Sequence, residues 1–135
     1  MLDEALRLYP PAYLLARAAL GPDVVAGETV RKNDVILMSP WLLHRHEKLW
    51  DNPHAFMPQR FLPPSPPPDR FSYLPFGVGP RICIGAQFAL TEAVLALAKI
   101  VASYRVEITS AQPVIPIGIV VTAPDHAPEF RLTQR

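Results

Sequence analysis

Seventeen prolines in a chain of 135 residues keep most of it out of helix and out of central strand. Proline lacks the backbone N–H that both need, and its ring clashes with the preceding turn. Regular structure is therefore expected in short pieces, with one exception. Residues 85–104 carry Phe88, Ala89, Leu95, Ala98 and Val101 at near-helical spacing and predict one long helix, its apolar stripe turned to the core. Residues 1–9 predict a short helix ended by Pro10 and Pro11, with no capping residue ahead of it and with Leu2 and Leu6 in need of a surface. Residues 12–19 look extended and apolar, interrupted by Arg17. Val24, Val25, Thr29 and Val30 around a turn at Ala26 and Gly27 predict a hairpin. A second turn at residues 32–34 leads into a strand at 35–38, and residues 40–45 open as a short helix with Pro40 near its start. Residues 46–61 read as loop. Residues 63–68 hold five prolines in six, a stiff solvated spacer. After a loop at 71–85 and the long helix, strands are expected at 106–108, at 114–122 with a turn near 116–118, and at 129–132.

Half of the residues are hydrophobic and 19% are charged, the composition of one ordered domain. A net charge of +1 gives no electrostatic case for nucleic acid or a membrane surface. The single cysteine, Cys83, cannot form an internal disulfide, which fits a reducing compartment. The first residues are charged early and reach proline quickly, unlike a signal peptide, and no apolar run is expected to span a bilayer.

The chemistry concentrates in Phe76-Gly77-Val78-Gly79-Pro80-Arg81-Ile82-Cys83-Ile84-Gly85. A lone cysteine is most often a small buried hydrophobe. Here its neighbours change that reading. Gly77, Gly79 and Gly85 allow backbone to approach a large flat ligand closely. Cys83 precedes the long helix, whose unpaired N–H groups and dipole favour a negatively charged sulfur, the form a metal ligand needs. Arg81 offers a cation to an anionic group on the ligand.

These residues resemble the haem-binding loop of the cytochrome P450 family, Phe-x-x-Gly-x-Arg-x-Cys-x-Gly. Phe76, Gly79, Arg81, Cys83 and Gly85 fill every fixed position. The resemblance implies that Cys83 is the proximal iron ligand and that Arg81 pairs with a haem propionate. It also implies that Phe76 shields the sulfur and that Gly85 lets the next helix pass close under the ring. Glu4 and Arg7 match the family's Glu-x-x-Arg. Pro58-Gln59-Arg60-Phe61 matches its Pro-Glu-Arg-Phe-like segment, with Gln59 departing from the usual glutamate. By resemblance Glu4, Arg7 and Arg60 form a buried charge network. On residue type alone Glu4 and Arg7 would be an ordinary surface pair. Arg17 resembles the family's second propionate arginine, against the alternative of a solvent-facing strand arginine. His44, followed by Arg45, is implied either at the haem edge or in the charge network. Residues 12–15 and 115–118 resemble substrate-facing segments, with ordinary core packing as the rival reading.

The resemblance spans the whole chain but only the C-terminal, haem-binding portion of the family. The upstream helix with its Ala/Gly-Gly-x-x-Thr motif has no counterpart, so the N-terminal and distal part is expected to be absent from residues 1–135. The implied fold is mainly α with small β-sheets (α+β), rich in loops and proline. The implied function is that of a haem-thiolate monooxygenase with haem b (iron protoporphyrin IX). It would insert one oxygen atom from O2 into an apolar small molecule, with electrons from a ferredoxin or flavoprotein reductase, in the cytoplasm. Arg70, Arg81, Lys99 and Arg105 are candidate contacts for that donor, or scattered solvated charges. A truncated haem-binding fragment or a remnant without turnover remains the alternative.

Overall fold

The computed structural model describes residues 1–135. Three helices and eight short strands follow one another along the chain, and every sheet is a two-stranded antiparallel ladder. Helix α1, Leu2–Leu8, begins at Met1 without a side-chain cap and ends where Tyr9 leaves helical geometry ahead of Pro10. Seven residues are too few for a helix stable by itself. This one is held because Glu4, Arg7 and Leu8 are buried. Strand β1, Leu15–Ala18, pairs with β4, Val35–Met38, with Arg17 opposite Ile36. Between them lies the hairpin of β2, Asp23–Val25, and β3, Glu28–Val30. Its turn uses positive φ at Ala26 (53°) and Gly27 (87°), the geometry a two-residue hairpin loop demands.

Helix α2, Pro40–Leu43, is capped by Ser39, whose Oγ accepts from the Leu42 amide at 3.3 Å. The loop after it contains a 3-10 turn at Pro58–Phe61, and the cysteine loop contains another at Gly79–Arg81. Helix α3, Ala86–Ser103, runs straight into β5, Tyr104–Ile108, which pairs with β8, Phe130–Gln134.

Three expectations need correction. Residues 114–122 do not form one strand bent at 116–118. Pro116–Gly118 is itself β6, and it pairs with β7, Thr122–Pro124. Prolines stand opposite each other at the open end of this isolated ladder, where no ladder N–H is needed. The hairpin is fastened instead by Ile115 and Asp125. The Ile115 amide donates to Asp125 Oδ1 at 2.8 Å, and the Asp125 amide donates to the Ile115 carbonyl at 2.9 Å. Second, the α3 stripe is not core in this chain, since Phe88 is 73% and Leu95 65% exposed. Third, α3 is long and apolar enough to cross a membrane by length and composition, with 18 residues of mean hydropathy 1.4. The core helix of a larger globular protein meets the same measure.

Nine of 135 residues are buried, and the three most deeply buried ionisable groups are Glu4, Arg7 and His44, each 0% exposed. Leu8, Pro10, Val30, Pro40 and Trp50 are the buried apolar side chains. The accessible surface is 10377 Å², against about 7,000 Å² for a compact protein of this mass. Ionisable groups therefore share the centre of the fold with a few apolar ones, and much apolar surface faces outward.

Candidate functional site: a buried charge network and a cysteine loop

The network begins with an accounting problem. A buried guanidinium has five N–H donors, and of the two carboxylates on α1, Asp3 and Glu4, only Glu4 reaches it. Arg7 Nε and Nη2 each donate to Glu4 at 2.8 Å, to Oε2 and Oε1 respectively. Arg7 Nη1 donates to the carbonyls of His44 and Pro53, both at 2.7 Å, and Nη2 donates again to the Ala55 carbonyl at 3.0 Å. All five donors are thus used, and Trp50 covers the guanidinium at 5.1 Å. Glu4 Oε1 also accepts from the Met57 amide at 2.8 Å and from Arg60 Nε at 3.3 Å. Burial raises the Glu4 pKa. The Arg7 bonds, the Met57 amide, the Arg7 charge and the Arg60 bond together outweigh it and hold the carboxyl below its ordinary value. The structure thus brings Glu4, Arg7 and Arg60 together. The backbone partners at residues 44, 53, 55 and 57 were not foreseen. The signal available for them was the donor count of Arg7 against a single glutamate.

His44 joins the same centre. Its Nδ1 lies 3.1 Å from the Arg7 carbonyl, and its Nε2 accepts from the Leu74 amide at 2.8 Å. Both ring nitrogens are engaged within the protein, so neither is free for a haem edge. Burial, then the charges of Arg7 and Arg45, bring its pKa down to about 4 against the pull of the Arg7 carbonyl. Arg45 lies 3.6 Å over the Trp41 ring and donates to the Leu8 carbonyl at the end of α1. Tyr73 packs 5.4 Å from His44 and donates to the Asp3 carbonyl at 3.1 Å.

From Tyr73 and Leu74 the chain enters the cysteine loop. Gly77 and Gly79 adopt φ of +74° and +75°, which L side chains rarely take. The Cys83 amide donates to the Phe76 carbonyl at 2.9 Å, closing the loop on itself. Cys83 carries a free, exposed thiol three residues ahead of the first residue of α3. Gly85 has ordinary backbone geometry, and a Cβ there would lie 3.9 Å from Cys83 Sγ. That is an ordinary contact distance, so neither space nor backbone geometry in this chain alone requires glycine there. Replacing Gly79 by alanine meets no atom within 4 Å, so any cost comes from backbone geometry alone. We expect roughly 1–2 kcal/mol of destabilisation, read as a lower denaturant midpoint. The same change at Gly21, where space is open and φ is ordinary, is the control.

Arg81 is exposed and enters none of the chain's ion pairs. Arg17 is half-buried on the same face of β1 as Leu15, and Leu15 Cδ1 lies 3.9 Å from where a Gly77 Cβ would stand. That face of β1 therefore borders the cysteine loop. Its only side-chain bond is to the neighbouring Ala16 carbonyl, at 2.8 Å. Leu15, Met38, Leu43, Phe71, Leu74 and Val78 line an apolar depression of about 480 Å³ there. The two stretches that resemble substrate-facing segments meet. A Cβ on Gly118 would sit 3.0 Å from the Tyr13 ring, and Tyr13 OH donates to the Ile119 carbonyl at 3.2 Å.

No group of three or more His, Cys, Asp or Glu side chains is arranged to hold a metal. A metal at Cys83 would have one protein ligand and would have to bring the rest. A single exposed sulfur, a loop with two positive-φ glycines, and Arg81 and Arg17 outside every ion pair fit a macrocyclic iron complex with acidic side arms.

Comparison with known proteins gives the family. The profile of the family described as Cytochrome P450 matches residues 1–127. The chain is 35% identical over 133 residues to "Protein LUTEIN DEFICIENT 5, chloroplastic" of Arabidopsis thaliana, covering 96% of this chain and 22% of that protein. It is 35% identical over 136 residues to pentalenene oxygenase of Streptomyces avermitilis, covering 100% of this chain and 30% of that one. Among solved structures, the heme domain of a cytochrome P450DA mutant superposes with a TM-score of 0.90 at 33% identity, over 99% of this chain and 29% of that one. The chain belongs to the cytochrome P450 family, and it spans less than a third of the length of these relatives.

Proposed function

We propose that residues 1–135 are the cysteine-bearing portion of a haem-thiolate monooxygenase. Haem b would be held through the Cys83 sulfur, with Phe76 beside the ring and Arg81 and Arg17 on its two propionates. The observation that carries the reading is the one exposed thiol at the mouth of α3, on a loop whose two positive-φ glycines leave its backbone free of side chains. When bound, the haem would activate O2 so that one oxygen atom enters a C–H or C=C bond of an apolar substrate, with electrons from a ferredoxin or flavoprotein reductase. This chain's own residues serve that chemistry by position. Cys83 presents its exposed sulfur three residues ahead of α3, and Glu4, Arg7 and Arg60 fix the elements behind the loop. Tyr13 and Gly118 bring two apolar segments into contact as one wall of the substrate space. Arg70, Arg81, Lys99 and Arg105 are exposed cations suited to an acidic electron donor.

The test is reconstitution with haem, reduction and addition of carbon monoxide. A thiolate-type Soret band is expected from the chain and none from Cys83→Ser, because a serine hydroxyl stays neutral and cannot replace the thiolate. A folded wild-type chain that binds haem without that band, or an unchanged band in Cys83→Ser, would refute the ligand assignment.

A further inference from the structure

We propose that His44 is a positioning residue for the Cys83 loop, joining the Glu4–Arg7 network to the loop through the Leu74 amide. The proposal deepens the reading of Cys83 as thiolate ligand and rests on it. The argument starts from hydrogen-bond direction. The Arg7 carbonyl can only accept, so the imidazole Nδ1, 3.1 Å away, carries the ring proton. Nε2 is then bare, and it accepts from the Leu74 amide at 2.8 Å. One neutral tautomer satisfies both bonds, and the buried, positively charged surroundings of Arg7 and Arg45 favour that neutral form. His44 is itself clamped. Its carbonyl takes Arg7 Nη1 at 2.7 Å, and its amide donates to the Pro40 carbonyl at 2.8 Å.

Leu74 is the hinge between network and loop. Its carbonyl accepts from the Gly77 amide at 3.2 Å, which turns the chain into the loop. Two residues past Leu74, the Phe76 carbonyl takes the Cys83 amide at 2.9 Å. A displacement of Leu74 therefore reaches the sulfur-bearing residue through two backbone hydrogen bonds. No other side chain accepts from the Leu74 amide, so losing the imidazole leaves that donor without a partner in a half-buried place.

Two variants separate the two bonds. A glutamine carbonyl reaches the position of Nε2 and keeps an acceptor for Leu74, while giving up the donor to Arg7. An asparagine amide reaches the position of Nδ1 and keeps the donor to Arg7, but falls short of Leu74. Amide hydrogen exchange on the haem-free chain and the reduced carbon monoxide spectrum of the haem-loaded chain are measured for each. In His44→Asn, exchange at Leu74 and Cys83 should speed up about tenfold or more, with loss of the thiolate-type band. His44→Gln should keep both near wild type. Amides of the β5–β8 ladder, remote from His44, report whether either variant has lost the fold. Equal loss at Leu74 in both folded variants, or full protection in His44→Asn, overturns the proposal. If His44→Asn unfolds, His44→Gln decides alone: a protected Leu74 supports the proposal and an exposed one overturns it. A wild-type chain without a thiolate band would sink the haem reading, while the exchange data would still decide the role of His44.

Discussion

Glu4→Ala is expected to cost about 3–5 kcal/mol, the loss typical of breaking a buried ion pair by removing one partner. Whole-domain stabilities are about 5–15 kcal/mol, so this one truncation approaches the full margin. The reason is what it leaves behind. Arg7 has no exposed surface and would lose two of its five acceptors, while the Met57 amide and Arg60 Nε would lose theirs. Two guanidiniums would then share a buried site without a carboxylate. Denaturant unfolding should show a sharply lower midpoint, and haem incorporation should fail because α1 and the segments around residues 44–57 no longer hold the base of the cysteine loop. Glu4→Gln retains the shape and some acceptor capacity and should fall between. A Glu4→Ala chain with normal midpoint and normal haem content would show that the network carries no weight.

Acidification is expected to produce the second large effect. His44 falls from an ordinary pKa of 6.5 to about 4 in the folded chain. Between those values the unfolded chain binds the extra proton and the folded chain does not, so stability rises with pH across that window. The contribution is complete above pH 6.5 and is lost as pH falls toward 4, by roughly 3 kcal/mol in all. Glu4 adds to the loss at lower pH. Its folded pKa lies below the ordinary 4.5, so its contribution is present above that value and disappears as pH falls through the folded one. Denaturant midpoints at pH 7, 5.5 and 4 measure the slope, and His44→Gln should flatten it above pH 4.5. A wild-type chain equally stable at pH 7 and pH 4 would contradict the burial of a neutral His44.

Local signals carried much of the fold. Proline and glycine punctuation located α1, the β2–β3 hairpin and α2 to within one or two residues, because each is bounded by residues with restricted or special backbone geometry. The long spacing of apolar residues located α3. The β6–β7 hairpin was misread because its register depends on Asp125 fastening Ile115 across ten residues, a side-chain contact that no local periodicity encodes. The α3 stripe was misread for a related reason. An apolar face in a sequence predicts that something covers it, not that the covering residues lie within the same 135. Of the site, the grouping of Glu4, Arg7 and Arg60 was legible only through the family resemblance, since residue type alone made Glu4 and Arg7 a surface pair, and the reading of Cys83 rested on its matched neighbours rather than on the cysteine itself. His44 was named with two possible places, and only the tertiary contacts with Arg7 and Leu74 separate them. The carbonyls of Pro53 and Ala55 were invisible, because backbone acceptors leave no mark in residue identity.

The charged centre of this fold also changes how the chain should respond to heat. Unfolding a typical domain exposes much apolar surface to water, and the resulting heat-capacity increase bends the stability curve and weakens the fold in the cold as well as the heat. Here the fully buried side chains are Glu4, Arg7 and His44 beside Pro10 and Pro40, so charged and polar groups make up an unusual share of what unfolding exposes. Polar exposure lowers the heat capacity where apolar exposure raises it. The stability contributed by this charged centre is therefore expected to bend less with temperature than that of a wholly apolar core, which calorimetry of the chain would read as a smaller heat-capacity increase on unfolding.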